Sequence, residues 1–155
     1  PTIHEIETTA DMARAVGKLV PDADVLIMAA APADYRAVKP ATSKTKKGKG
    51  APQLDLEETT DILQSTIDKR KKGAIVVGFA LETDDALQQG KAKLRGKQLD
   101  LIVVNDATET GAGFGVDTNR VTLISRDGNT EELPLLSKVD VADAILDRVE
   151  QLRGR

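Results

Sequence analysis

The sequence has no cysteine and no tryptophan, a single histidine, and aromatic residues at only 2% of its 155 positions. Each absence removes a class of chemistry. Without cysteine there are no disulfides and no thiolate metal sites, a usage that suits a reducing compartment. With His4 as the only imidazole, a multi-histidine metal centre is impossible and a Ser-His-Asp triad is poorly supported. No apolar run approaches the roughly 20 residues that span a bilayer, so no membrane partner is expected. A net charge of -3 and a pI near 5.3 argue against general nucleic-acid binding. The Gly-x-Gly-x-x-Gly order is missing around Gly111, Gly113 and Gly115, and there is no GxxxxGK[ST] phosphate loop. A hydride-transfer domain and a P-loop ATPase therefore find little support.

What is present fits one domain over residues 1–155. The chain is 40% hydrophobic and 30% charged, with a core that must be largely aliphatic. It opens on Pro1 rather than Met and shows no signal peptide, so it is expected to be a fragment.

Hydrophobic periodicity gives the element order. Thr2–Glu7 reads as a short strand. Thr8 or Thr9 offers an N-cap for a helix over Ala10–Val20, with Met12, Val16, Leu19 and Val20 at helical spacing, and Pro21-Asp22 breaks it. Val25–Ala31 is a continuous apolar run, the pattern of a strand buried on both faces. Gln53–Glu57 reads as a short strand. Thr60–Lys72 reads as a helix capped by Thr59 or Thr60, with a basic end before Gly73. Ala74–Phe79 and Leu99–Val104 are two more buried strands. Between them Asp84–Gln98 forms a polar helix capped by Thr83 and weakened by Gly90 and Gly96. Glycines 111, 113 and 115 make a flexible turn. Val121–Ser125 and Glu131–Leu135 flank Asp127-Gly128, a hairpin signal, and Val139–Leu152 closes the chain as an amphipathic helix. This order predicts an α/β fold. It is a doubly wound, mostly parallel, Rossmann-like sheet with helices on both faces and a carboxy-terminal antiparallel hairpin.

The strongest local feature is a block of positive charge in an acidic protein. Arg36, Lys39, Lys44, Lys46, Lys47 and Lys49 follow the Val25–Ala31 run, and no acid occurs from Tyr35 to Leu54. Residues 36–52 read as a mobile Lys-rich flap that either folds over a triphosphate or is simply a solvated loop. In doubly wound sheets ligands bind beyond the carboxyl ends of the strands. Met28 to Asp34, Gly78 to Thr83, Asn105-Asp106 and the 111–115 turn converge there. The small residues Ala29, Ala30 and Ala31 either admit a ligand close to the backbone or pack a helix. Asp34 either binds ribose hydroxyls or a metal-bound phosphate, or forms a turn. The helix start at Thr60, Asp61, Ile62 and Leu63 presents N–H groups to an anion. Lys93 and Lys97 share a helix face and either meet a nucleotide or are solvated.

Ala29-Ala30-Ala31-Pro32-Ala33-Asp34-Tyr35-Arg36, the loop with Lys44-Thr45-Lys46-Lys47, Val77 to Thr83, Leu99 to Asp106 and Gly113-Phe114-Gly115 together resemble bacterial phosphopantothenoylcysteine synthetase. In many bacteria this is the carboxy-terminal half of a bifunctional coenzyme A biosynthesis flavoprotein. The resemblance covers essentially the whole chain. It implies activation of 4′-phosphopantothenate by CTP to an acyl-cytidylate with release of pyrophosphate, then attack by the amine of cysteine with release of CMP. Mg²⁺ would arrive with CTP, held mainly by the phosphates, with no metal site of the chain's own. FMN would belong only to an upstream decarboxylase domain, and the enzyme would be a cytoplasmic homodimer with the loop and hairpin near the partner. Carried over residue by residue, the resemblance makes Lys44 a nucleotide contact needed for activity. It places the nucleotide on Met28, Ala29, Ala30, Asp34, Thr60, Asp61, Ile62, Leu63, Phe79, Lys93 and Lys97.

The chain departs from the family in places. Thr59-Thr60-Asp61-Ile62 stands where Asn-Pro-Asp-Ile is common, and Pro32 where Val is common. The family's opening βαβ unit, with its catalytic Asn and Ser-Ser-Gly run, has no counterpart, so this chain is expected to be incomplete on its own. Two other readings stay open. One is a nucleotide- or dinucleotide-binding module of another class. The other is a non-catalytic dimerisation domain whose Lys loop is merely solvated.

Overall fold

Successive residues of a strand point to opposite faces of its sheet, so two strands with full apolar runs can feed two cores at once. The computed structural model, which describes residues 1–41, 43–44, 53–82, 85–106 and 115–154, is built on that arrangement. A mixed sheet runs in the order β1 (Val25–Met28), β4 (Ile75–Glu82), β5 (Leu101–Asp106), β7 (Val121–Ser125), β8 (Thr130–Glu132). β1 and β4 pair in parallel, as do β4 and β5, whereas β7 and β8 are antiparallel. The register places Gly78 opposite Ile102, and Ile102 opposite Ile124. Val76, Ala80, Ile102, Val104 and Ile124 thus share one core. Ile75, Val77, Leu101, Val103, Val121 and Leu123 share the other.

Helices cover both faces. On the first lie α1 (Thr9–Leu19), the single turn α2 (Ile62–Ser65) and α3 (Ala86–Gly96), which contribute Met12, Val16, Ile62, Leu63 and Leu94. On the second lies α4 (Lys138–Arg153), through Val141, Ile145 and Val149. The expected fold class is therefore the observed one. α1 starts in a capping box between Thr8 and Asp11, and Ser137 caps α4. Gly90 does not merely weaken α3. A Cβ there would come within 2.6 Å of Val104 Cγ2 and 3.2 Å of Ile124 Cδ1, so its absence lets the helix lie close on the sheet. The hairpin turns at Asp127-Gly128, with Gly128 at a φ of +90°.

Two small antiparallel ladders complete the fold: β2 (Tyr35–Ala37) with β3 (Leu56–Glu58), and β6 (Thr118–Asn119) with β9 (Leu136–Ser137). Neither pairing was read from the sequence.

Several expectations need correction. Residues 2–7 form no strand and are exposed, Ile3 at 84%. A short alternating stretch with no neighbouring strand has nothing to satisfy its backbone. β1 is not a strand buried on both faces. It is an edge strand that ends at Met28, with Ile27 38% exposed. Residues 29–33 leave the sheet, and Pro32 among them has no N–H to give a ladder.

The helix expected over Thr60–Lys72 is only α2, followed by a 3₁₀ turn at Ile67–Lys69. Thr66 Oγ1 donates to the Leu63 carbonyl at 2.7 Å, and Arg70 takes the same carbonyl, so local bonds replace the helical ladder. The flap expected over 36–52 begins inside β2. Residues 42 and 45–52 lie outside the described residues, as do Thr83, the expected cap of α3, and 107–114, which include all of the glycine turn but Gly115. The residue that caps α3 is Asp85, at a φ of 48° and without a side-chain bond to the helix.

Candidate functional site

Beyond the carboxyl ends of β1 and β4 lies a cleft of about 140 Å³, lined by Met28, Ala30, Pro32, Ala33, Asp34, Thr59, Thr60, Asp61, Ile62, Leu63, Phe79 and Lys97. One wall is the connection from β1 to β2. It leaves the sheet after the buried Met28 and runs through small residues, so its backbone faces the cleft. The other wall is the connection from β3 to α2. The two are joined at the rim, where the Thr59 N–H donates to the Asp34 carbonyl at 2.8 Å and Thr59 Oγ1 to the Ala33 carbonyl at 2.5 Å. Gly78 shapes the floor. A Cβ there would come within 2.6 Å of Leu99 Cδ1 and 3.4 Å of Leu63 Cδ1. Its absence lets α2 approach β4 closely enough to bring Ile62 and Leu63 into the cleft.

Asp61 is the N-cap of α2. Its Oδ1 accepts from the Gln64 N–H at 3.0 Å, while its Oδ2 pairs with Lys97 Nζ at 2.9 Å, which ties α2 to the end of α3. Partial burial pushes the Asp61 carboxyl up. The bond from the Gln64 N–H and the ammonium of Lys97 outweigh it and hold the group below its ordinary value.

The structure thus gathers Met28, Ala30, Asp34, Thr60, Asp61, Ile62, Leu63, Phe79 and Lys97, all expected from the sequence, around one cleft. Ala29 lies in the same wall between Met28 and Ala30. Lys93 sits one turn before Lys97 on α3 and does not line the cleft, and Lys44 is exposed and does not line it either.

One expectation changes in character. The start of α2 does not present free N–H groups to an anion, because the Asp61 carboxylate already takes the Gln64 N–H, and the helix is a single turn long. Asn105 stands apart from the cleft, its Oδ1 accepting from Asn119 Nδ2 at 2.9 Å. Pro32 and Ala33 line the cleft within the segment expected to converge there, though not singled out as contacts, and Thr59 is a lining residue the sequence did not disclose. Thr59 was read as a helix cap, yet its hydroxyl reaches across the rim to a carbonyl distant in sequence, which no local signal discloses.

The charge distribution decides what part of a ligand fits. The described charged groups of the cleft are Asp34, Asp61 and Lys97, and Lys97 is already neutralised by Asp61. Such a site suits hydrogen-bonding ligand groups such as hydroxyls or ring nitrogens better than phosphates. Its volume is small against the roughly 300–1,000 Å³ of typical ligand pockets. A larger crevice of about 620 Å³ shares Ala33, Thr59 and Thr60 with it and extends along Thr8, Thr9, Tyr35, Arg36 and Pro40. Among the described residues, no group of three His, Asp or Glu side chains is placed to hold a metal ion. No helix among them is long and apolar enough to cross a membrane.

A mixed α/β sheet with helices on both faces and a small cleft outside the carboxyl ends of its parallel strands has the architecture of the doubly wound class. A family model described as the DNA/pantothenate metabolism flavoprotein C-terminal domain matches residues 2–152, and the chain belongs to that family.

The chain is 43% identical, over 95% of its length, to the coenzyme A biosynthesis bifunctional protein CoaBC of Bacillus subtilis (strain 168), of which it covers 36%. It is 37% identical, over 95% of its length, to a cysteine/cysteine sulfinic acid decarboxylase of an unknown prokaryotic organism, of which it covers 41%. Among solved structures, the C-terminal domain of a coenzyme A biosynthesis bifunctional protein CoaBC superposes with a TM-score of 0.76 at 34% identity, covering 97% of this chain and 65% of that one. The chain thus spans well under half the length of these curated relatives.

Proposed function

We propose that this chain is the nucleotide-binding part of a CTP-dependent ligase that joins 4′-phosphopantothenate to cysteine in coenzyme A biosynthesis. The observation that carries the proposal is the convergence of Met28, Ala30, Asp34, Thr60, Asp61, Ile62, Leu63, Phe79 and Lys97 on one cleft at the strand ends, in a chain of this family. The two halves of the nucleotide then separate by charge. The nucleoside occupies the cleft, where backbone groups and the carboxylates of Asp34 and Asp61 accept its donors. The triphosphate runs outward toward Lys44, since an acidic rim repels it and a Lys-rich segment attracts it.

In the first step a carboxylate oxygen of 4′-phosphopantothenate attacks the α-phosphorus of CTP, and pyrophosphate leaves. In the second the amine of cysteine attacks the acyl carbon of the cytidylate, and CMP leaves with the bonding pair. The first step brings two anions together, so positive charge at the α-phosphate lowers its barrier, and Lys44 is assigned that role. Lys39, Lys46, Lys47 and Lys49 raise the local potential. Mg²⁺ enters as part of the CTP substrate, coordinated by the phosphates rather than by a protein cage. Any flavin belongs to another segment of the longer proteins. The working unit is assigned as a cytoplasmic homodimer, supported by the exposed apolar side chains of the β2–β3 ribbon described below.

Calorimetric titration of the full-length protein with CTP and with ATP, each with Mg²⁺, tests the reading. Tighter binding of CTP is expected, and equal or absent binding of both overturns it. In the same protein, Lys44→Gln is expected to lower kcat on the order of 100-fold or more while the circular dichroism spectrum stays unchanged. Near-normal turnover would remove Lys44 from the mechanism.

A further inference from the structure

Arg70 is a half-buried arginine near the Asp100 carboxylate whose guanidinium, among the described residues, hydrogen-bonds to carbonyls and one hydroxyl. Nη2 donates to the Leu63 carbonyl at 2.7 Å and Nε to Thr66 Oγ1 at 3.1 Å. Nη1 donates to the Lys97 carbonyl at 3.0 Å and to the Gln98 carbonyl at 2.8 Å. One planar fork therefore holds carbonyls of two helices, α2 and α3, which also meet at the Asp61–Lys97 pair. Thr66 is fully buried, and its hydroxyl is itself anchored on Leu63, so the acceptor for Nε is fixed.

The α3 side of this contact is strained. Gln98 has a φ of 49°, in the left-handed region that a non-glycine residue adopts only when its surroundings demand it. Its carbonyl receives Arg70 from one side and Arg126 Nη2, at 2.9 Å, from the other. Lys97, whose own carbonyl Arg70 also holds, sends its side chain to Asp61 at the cleft.

We propose that Arg70 is a positioning residue for the nucleotide cleft: by locking the Lys97–Gln98 carbonyls to Leu63 and Thr66, it sets where Lys97 meets Asp61. This assignment rests on the cleft being the nucleotide site. A bare positive charge cannot substitute. Lysine is a point charge on a flexible stem, whereas the spacing of these acceptors demands the fixed geometry of a guanidinium. Arg70→Lys therefore keeps the charge and loses the clamp. Asp61 reports the result, because the charged groups lining the cleft around it are only Lys97 and Asp34 among the described residues.

The test uses the full-length protein with ¹³C-labelled aspartate carboxyls, the Asp61 signal being identified by its loss in Asp61→Asn. Arg70→Lys is expected to move the titration midpoint of Asp61 upward, toward the value in Lys97→Met. It is also expected to weaken CTP binding on the order of tenfold. A lower melting temperature with the Asp61 midpoint unmoved would mean that Arg70 only holds the fold, and would overturn the proposal. Should Arg70→Lys fail to fold, Thr66→Val removes the Nε acceptor, together with the hydroxyl's own bond to Leu63, and leaves the three carbonyl contacts of the guanidinium in place. A smaller upward shift of the same midpoint supports the assignment, and no shift overturns it. Wild-type protein that binds no CTP sinks the nucleotide reading, while the Asp61 titration decides the role of Arg70 independently.

Discussion

The central strands and the small ribbon both carry large apolar side chains, yet these end in opposite environments. In β4 and β5 the odd and even residues feed two different cores, and Val77, Leu101 and Val103 are wholly removed from solvent. In the β2–β3 ribbon Tyr35 is 58% and Leu56 54% exposed, with Leu54 beside them at 66%. The ribbon has its ladder, the bond from the Val38 N–H to the Asp55 carbonyl at 3.0 Å, and an exposed Arg36–Glu57 pair at 2.8 Å. None of these supplies a core, and an isolated two-stranded ribbon is marginal in water. The lesson is that the same residue types serve packing in one place and remain available to a partner in the other. The cleft joins the two regions, with β4 as its floor and the ends of the ribbon strands, at Asp34 and Thr59, as its rim.

Paired truncations give the largest contrast. Leu101→Ala opens a cavity between packed layers and is expected to cost about 2–5 kcal/mol in urea unfolding. Leu56→Ala at the ribbon is expected to change the stability of the monomeric chain by about 0.5 kcal/mol or less, as exposed sites do. In the full-length protein the same ribbon change is expected to weaken self-association, measured by sedimentation equilibrium. A large monomer destabilisation by Leu56→Ala would erase the distinction between the two regions.

The contrast also explains what was legible. Continuous runs such as Ala74–Phe79 and Leu99–Val104 are visible because burial on both faces leaves no polar position, and the Asp127-Gly128 hairpin carries its own turn chemistry. β2 was invisible because Tyr35-Arg36-Ala37 has no apolar alternation of its own and gains strand geometry only by pairing with residues 21 positions or so away. The short extent of α2 was hidden for a related reason. The helical period continues past Ser65, but Arg70 and Thr66 take the Leu63 carbonyl through contacts no periodicity encodes. Most of the cleft was legible through its resemblance to a known family rather than through composition, which left Ala29-Ala30-Ala31 and Asp34 ambiguous. The Asp61–Lys97 pair joins two elements distant in sequence, and only the fold shows that these two candidates neutralise each other.

An intermediate effect is expected where floor meets rim. Gly78 permits the approach of Leu63 and Leu99, so Gly78→Ala forces those side chains aside and is expected to cost about 1–3 kcal/mol. It also displaces α2, so weaker CTP binding should accompany the loss of stability. Lost stability with unchanged CTP affinity would show that the floor does not shape the cleft.

The smallest effect belongs to the rim itself. The Asp61 carboxyl is held below its ordinary value, so its folded form binds a proton less readily than its unfolded form. By linkage, that contribution is fully present above the unfolded carboxyl value of about 3.9 and fades as pH falls through the lower folded value. Lys97→Met removes the ammonium and should raise the folded value. The stability difference between wild type and variant is then expected at neutral pH, shrinking below about pH 4 as Asp61 protonates in both. Because Asp61 is nearly half exposed, solvent screening limits the difference to about 0.5 kcal/mol, and added salt should reduce it further. Urea titrations of both proteins across this pH range measure it. A difference comparable to that of Leu101→Ala, or one that grows on acidification, would mean that the rim contributes to stability as the floor does.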